Sequence, residues 1–408
     1  MSKGLFMVSR RSFLISAVTI ATAQLIFGCS EPQETLKVLL LEGSIPPQLL
    51  RDFRRTLNSG TKLNFQPETQ LKQIFNLLQN WQKQAENDPI QEKWLTQLSG
   101  GNSGGIANLM TLGDYWLATA IQQQLIQPLD LTKLDAWSRL PLRWQRLVKR
   151  NRQGELDENG LVWGAPYRWG STIIVYRRDR FRDLGWMPTD WSDLWREELR
   201  DRISLLDQPR EVIGLTLKKL GYSYNTSDLA EVPNLKNELL ALQQQVKFYS
   251  SDNYLQPLLI GDTWLAVGWS TDILPATKHY SNLKAVVPQS GTSLWADLWV
   301  QPRLVMAATF DNDNVVDNSS SLAKQWINFC WQPRAANQIS LFTNGTSPIL
   351  VSMNRSEYVR DLQNNVFLES MLQNLDKSEF LFPLPPQTWQ QYQSLWEEMR
   401  HYLTSNQE

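Results

Sequence analysis

Two stretches of the chain set carboxylates where they could meet a cation. The first is Leu205-Leu206-Asp207-Gln208-Pro209-Arg210-Glu211-Val212-Ile213-Gly214. An apolar strand ends at Asp207 and a helix begins around Pro209. Loops at the carboxyl ends of strands are where open α/β sheets bind ligands. The same acids would serve as helix caps that interact with the dipole, and that reading stays open. The second stretch is Trp264 to Asp272, followed by Leu294-Trp295-Ala296-Asp297-Leu298-Trp299. In an extended segment Trp295 and Asp297 share one face, because side chains alternate. An indole beside a carboxylate suits a cation with a hydrocarbon body. The acid supplies a charge-assisted hydrogen bond, and the ring a cation–π attraction of about 0.5–2 kcal/mol. Core tryptophans with an incidental acid would look the same.

The elements around these stretches read as α/β. Leu36 to Leu41 is an apolar strand-like run, and Pro46-Pro47 suits a helix start. Leu49, Leu50, Phe53 and Leu57 follow at helical spacing, Leu63 to Phe65 suggests a strand, and Leu71, Ile74, Phe75 and Leu78 mark a second helix. This alternation predicts a largely parallel sheet. Ser99-Gly100-Gly101-Asn102-Ser103-Gly104-Gly105 lacks the signature of a phosphate-binding loop and reads as a surface loop. Ile106 to Leu112 and Leu298 to Ala307 read as strands, Tyr115 to Gln124 as a helix, and the last hundred residues as mainly helical. The basic segment Arg143 to Arg152 reads as a solvated helix face.

Composition removes several classes of function. The 408 residues hold 40 Lys+Arg, 41 Asp+Glu, two His and two Cys, for a net charge of −1. That balance argues against a basic nucleic-acid binder. Two cysteines make no disulfide framework, and two histidines leave little for a His-based metal site. Neither a cofactor nor a metal is expected, and ferric-iron binding would want clustered Tyr or His.

The N-terminus differs from the rest. Residues 1–28 carry Lys3, Arg10 and Arg11 and no acid; the remainder holds 37 basic against 41 acidic residues. Ser9-Arg10-Arg11-Ser12-Phe13-Leu14 resembles a twin-arginine export motif, and the uncharged run from Ser12 to Gly28 is short for a membrane span and suits a signal segment. Leu25-Ile26-Phe27-Gly28-Cys29 resembles a lipobox, with Phe27 larger than that motif prefers. Cleavage before Cys29 and lipidation of its thiol are expected, after export by the twin-arginine or general secretory route. A simple N-terminal membrane anchor is the alternative. Cys330, in Trp326-Ile327-Asn328-Phe329-Cys330-Trp331, reads as a core residue.

Six ordered motifs carry a resemblance across most of the chain. They are Pro166-Tyr167-Arg168-Trp169-Gly170, Pro188-Thr189-Asp190-Trp191-Ser192-Asp193-Leu194-Trp195, Asp207-Gln208-Pro209-Arg210-Glu211, Tyr249-Ser250-Ser251-Asp252-Asn253, Gly268-Trp269-Ser270 and Trp295-Ala296-Asp297. In this order they resemble the spermidine/putrescine-binding proteins of bacterial ABC importers. The resemblance implies a two-lobed α/β periplasmic binding protein fold, type II-like, with the ligand cleft between the lobes. The N-terminal motifs give a twin-arginine-like lipoprotein signal peptide over residues 1–28 and a lipidated spacer over 29–35, and the resemblance implies one lobe from 36–166 with 297–342 and a second from 167–296 with 343–408. It also implies a monomer in the periplasm, not an enzyme, that captures a polyamine and delivers it to a membrane permease and its ATPase.

Carried over by position, Glu211 and Asp297 would hold ligand ammonium groups, and Trp269 and Trp295 would line the methylene chain. Ser251 would make a polar contact, and Trp169 lies in a cleft segment. The chain also departs from the family. Gln208 stands where the family has an acid, Leu41-Glu42-Gly43 lacks a strand-end Trp, Asp114 falls at or beside a Tyr position, and Gly345 near another. Arg168 adds a positive charge that would repel a polyamine unless an acid neutralises it. Glu42 or Asp114 is expected to restore some negative charge. Gln208 and Arg168 leave an alternative open, the same fold and transport role with an amino-acid-like or anionic solute. An exported hydrolase using Glu211 and Asp297 as acid and base has no support beyond the two acids and the aromatics.

Overall fold

The computed structural model describes residues 34–87, 107–303 and 321–404. The expected signal segment, Cys29 and the glycine-rich stretch 99–105 lie outside them, as does the end of the strand-like run 298–307. Among the described residues no helix is long and apolar enough to cross a membrane.

β1 (Thr35–Leu41) buries Leu36, Val38, Leu39 and Leu40. Pro46, extended, sets the start of α1 (Pro47–Arg54), with proline at the first helical position where no amide partner is needed. β2 (Lys62–Glu68) and α2 (Leu71–Asn87) follow, and α2 buries Ile74, Phe75 and Leu78 at the spacing the sequence showed. β3 (Leu109–Gly113) is buried throughout and leads into α3 (Leu117–Gln122). After α4 (Leu142–Val148) comes β4 (Ala165–Arg177), buried along all but its last residue. The chain continues through β5 (Ile203–Leu205), α5 (Pro209–Lys219), β6 (Val246–Tyr249), β7 (Leu265–Trp269), α6 (Ser270–His279), β8 (Leu283–Val286) and β9 (Ser293–Pro302). The principal C-terminal helices are α7 (Ser321–Cys330), α8 (Pro333–Phe342) and α9 (Pro386–Thr404).

The sheet runs β2-β1-β3-β9-β4-β7-β5-β6, with β8 also paired to β4. Its two wings are parallel, as expected: β1 with β2 and β3, and β5 with β6 and β7. The centre is not. β9 runs antiparallel to both β3 and β4, and β4 runs antiparallel to β7 and β8. The expected largely parallel sheet is therefore a mixed one. β4 is the reason: its first half pairs with β9 and its second half with β7, so one strand crosses from wing to wing.

Each wing carries its own core. One unites Leu36, Leu49, Phe53, Leu109, Trp299, Trp326, Cys330 and Trp331; the other unites Ile174, Ile203, Val212, Leu217, Val267, Tyr392 and Met399. This is a two-lobed α/β fold. Cys330 is a buried free thiol, and Trp326 packs 5.0 Å from both Phe53 and Phe65, so these are packing residues. Arg143 to Arg152 is not the single solvated helix face expected. Arg143 reaches the Ser378 carbonyl at 3.1 Å, and Arg150 is buried, donating from Nε to the Leu147 carbonyl at 2.8 Å and from Nη1 to that of Gly154 at 3.2 Å. The helix ends at Val148, which turns Arg150 inward.

Candidate functional site

The strand ends gather the acids. β5 stops at Leu205 and α5 begins at Pro209, with Gln208 at the N-cap making no side-chain capping bond. Asp207 is exposed. Glu211 sits in the first turn of α5, where the helix dipole favours a negative charge, but it does not cap its own helix. It is buried and accepts a hydrogen bond from Ser293 Oγ on β9 at 2.6 Å. Burial pushes its carboxyl up; the hydroxyls of Ser293 and Thr172 and the Arg210 charge oppose that rise. Arg210 points elsewhere, to the carbonyls of Phe382 at 2.9 Å and Tyr224 at 3.2 Å.

Trp295 and Asp297 do share one face of β9, and Arg168 is the residue that meets them. Arg168 lies directly across from Asp297, and Trp295 lies across from Gly170. The register slips between Asp297 and Leu298, leaving Tyr167 as an extra residue on β4; such bulges re-aim side chains. Arg168 donates from Nε to Asp297 Oδ2 at 2.7 Å, and its Nη2 lies 2.5 Å from the same oxygen. Nη1 donates to the Thr343 carbonyl at 3.2 Å, and the guanidinium carbon stands 5.7 Å from the centroid of the Trp295 ring. Both side chains are almost wholly buried, at 6% and 2% exposure. Burial would lower the Arg168 pKa, but the Asp297 carboxylate, with Tyr167 and Asp272, more than offsets it and the guanidinium stays charged.

Two glycines make this packing possible. A Cβ on Gly170 would lie 2.3 Å from Cζ2 of Trp295, so only glycine lets the indole rest on β4. A Cβ on Gly345 would lie 2.5 Å from Cγ of Arg168, so the arginine arm occupies the room a side chain at 345 would need.

Asp114 follows the end of β3, buried, accepting from the Ala296 amide at 3.0 Å. Its pKa is pushed up to about 7, first by burial and then by the nearby Asp297 charge, against the pull of the Ala296 amide and Arg150. Burial lowers Arg150 to about 10, and Asp114 opposes that fall. Glu42 stands exposed in the turn after β1.

Trp269 ends β7, partly exposed. Its amide donates to Tyr254 Oη at 3.1 Å, and that hydroxyl donates to Asp272 Oδ2 at 2.9 Å. Gln208 Nε2 donates to Ser251 Oγ at 3.3 Å, so these two candidates meet each other. Trp169 is not brought to the Trp295 face. It alternates to the other side of β4, fully buried with its ring 5.3 Å from Trp144, while its backbone exchanges two 2.8 Å hydrogen bonds with Thr346.

Sequence reasoning missed Ser293, Thr343 and Tyr254, and it gave Gly345 and Arg150 no part in this packing. Only the alternation along β9 could have pointed to one of them, since Ser293, Trp295 and Asp297 are spaced by two.

The match to the family model described as bacterial extracellular solute-binding protein spans residues 105–380. The chain belongs to that family of bacterial extracellular solute-binding proteins. Curated relatives of this solute-binding protein include the spermidine/putrescine-binding periplasmic protein of Salmonella typhimurium, 25% identical over 336 residues, covering 82% of this chain and 83% of the relative. Its namesake in Escherichia coli is 27% identical over 297 residues, 72% of each chain. Among solved structures, the spermidine/putrescine ABC transporter substrate-binding protein of Streptococcus pneumoniae superposes with a TM-score of 0.71 at 20% identity. That match covers 91% of this solute-binding protein and 99% of the other chain, and at that identity it speaks to the fold.

Proposed function

We propose that this chain is the substrate-binding component of an ABC importer for a small amine of the polyamine class, captured between the lobes. The carrying observation is that Glu211 accepts from Ser293, two residues before the partly exposed Trp295 on β9, and lies beside the hydroxyl of Thr172, the β4 residue that pairs with the partly exposed Trp269. Glu211 supplies a carboxylate for an ammonium. The rings bury methylenes, each worth about 0.8 kcal/mol on transfer from water. The names of the curated relatives support the same ligand class and a periplasmic location.

The mature protein would be tethered by lipid on Cys29 and would hand its solute to a permease driven by an ATPase. In the proposed partition, residues 36–166 with 297–342 close on 167–296 with 343–408, and closure signals occupancy to the permease.

The amino-acid-like or anionic-solute reading relied on Gln208 and Arg168, and of the two only Arg168 carries a positive charge. Its guanidinium is engaged by Asp297 and the Thr343 carbonyl, which removes the free positive charge that reading needs. The test is titration calorimetry of the purified protein with putrescine and spermidine, beside a thermal-shift screen of diamines against carboxylates. Saturable heats with an amine support the proposal. A carboxylate that stabilises the protein while every amine fails would overturn it.

A further inference from the structure

We infer that Arg168 is a resident cation in the Asp297 half of the cleft, so that the solute carries a single ammonium, at Glu211, and an uncharged end against Trp295. This rests on the amine reading above and narrows it.

The two halves of the cleft are charged differently. Asp297 is met through one oxygen by two guanidinium nitrogens, at 2.7 and 2.5 Å. The same guanidinium carbon stands 5.7 Å from the centroid of the Trp295 ring, so a cation approaching that indole would come close to a positive charge already there. A second ammonium arriving there would meet a like charge beside an acid already neutralised. It has only donors to offer, and Arg168 is itself a donor only.

The replacement is built in. Gly345 leaves the corridor for the arginine arm, whose Cγ and Cδ would lie 2.5 and 2.8 Å from a Cβ there. The Thr343 carbonyl takes the third contact, at 3.2 Å. Gln208 brings no charge to compensate, and its amide nitrogen donates to Ser251. Glu211, by contrast, forms no ion pair among the described residues and is answered by the Ser293 hydroxyl.

A diamine masked at one end is the class this arrangement fits. The probes are putrescine and N-acetylputrescine, which share one methylene chain and differ in the second charge. Calorimetry on the full chain should show N-acetylputrescine binding roughly tenfold tighter or more, the range expected when a buried charge lacks a partner. Arg168→Met should reverse that order by uncovering Asp297. Should Arg168→Met not fold, Arg168→Met with Asp297→Asn removes both charges and should keep the wild-type order. Tighter binding of putrescine by the wild type, or an unchanged ratio in folded Arg168→Met, overturns the role of Arg168 and leaves the amine reading standing. If no form of the protein binds either amine, the amine reading falls and the inference with it.

Discussion

Glu211 and Asp297 are both buried carboxylates, yet they are in opposite circumstances. Glu211 is met by a hydroxyl, Asp297 by a guanidinium. A carboxylate met by hydroxyls has no counter-charge of its own, whereas one met by arginine is tied into the scaffold. Residue type and position suggest the same role for the two acids; the partner decides which of them still has it.

The sharpest way to break this contrast is to remove each acid in turn. Asp297→Asn leaves Arg168 buried without its counter-ion and should destabilise the protein by about 3–5 kcal/mol, read by urea denaturation. An unchanged midpoint would show that the pair carries no structural role.

Asp114 brings pH into the comparison. Its pKa in the folded protein, about 7, lies above the ordinary carboxylate value, so between about pH 4 and 7 the folded state holds a proton that the unfolded state has released. Stability present at pH 4 is therefore lost as pH rises to 7, by on the order of 3–4 kcal/mol. Asp114→Asn should flatten that slope and make the protein more stable at pH 8. A slope that survives the substitution assigns it to other groups.

Glu211→Gln should act on binding instead. Loss of a charge-assisted hydrogen bond is worth about 1.5–3 kcal/mol of amine affinity, with thermal stability unchanged or slightly raised. Equal losses of stability and affinity would mean that Glu211 is as structural as Asp297. The smallest effect is expected for Trp269→Leu, which keeps apolar cover but removes the ring, at about 0.5–2 kcal/mol of affinity.

Much of this arrangement was legible in local sequence. The Pro209 helix start, the strand-helix alternation of the first lobe and the shared face of Trp295 and Asp297 follow from short-range rules. The partner of that face did not, because Arg168 and Asp297 are 129 positions apart and meet through a strand pairing no local pattern reveals. The bulge at Tyr167 sets which β4 residue faces Asp297, and bulges leave no signature in alternation. Arg150 was misjudged for a related reason: a run of basic residues looks solvated until the helix end turns one inward. The antiparallel centre of the sheet depends on β4 serving two wings, which is a matter of tertiary connection.

Gly345 and Arg168 cannot be substituted independently of one another. Because any side chain at 345 would collide with the Arg168 arm, the arginine is tolerated only on a background where position 345 is glycine. A side chain added at 345 would displace the arginine arm, while a smaller residue at 168 would leave a hollow that a side chain at 345 could fill. The two positions are sterically coupled, and a comparison of related sequences should find arginine at 168 only alongside glycine at 345.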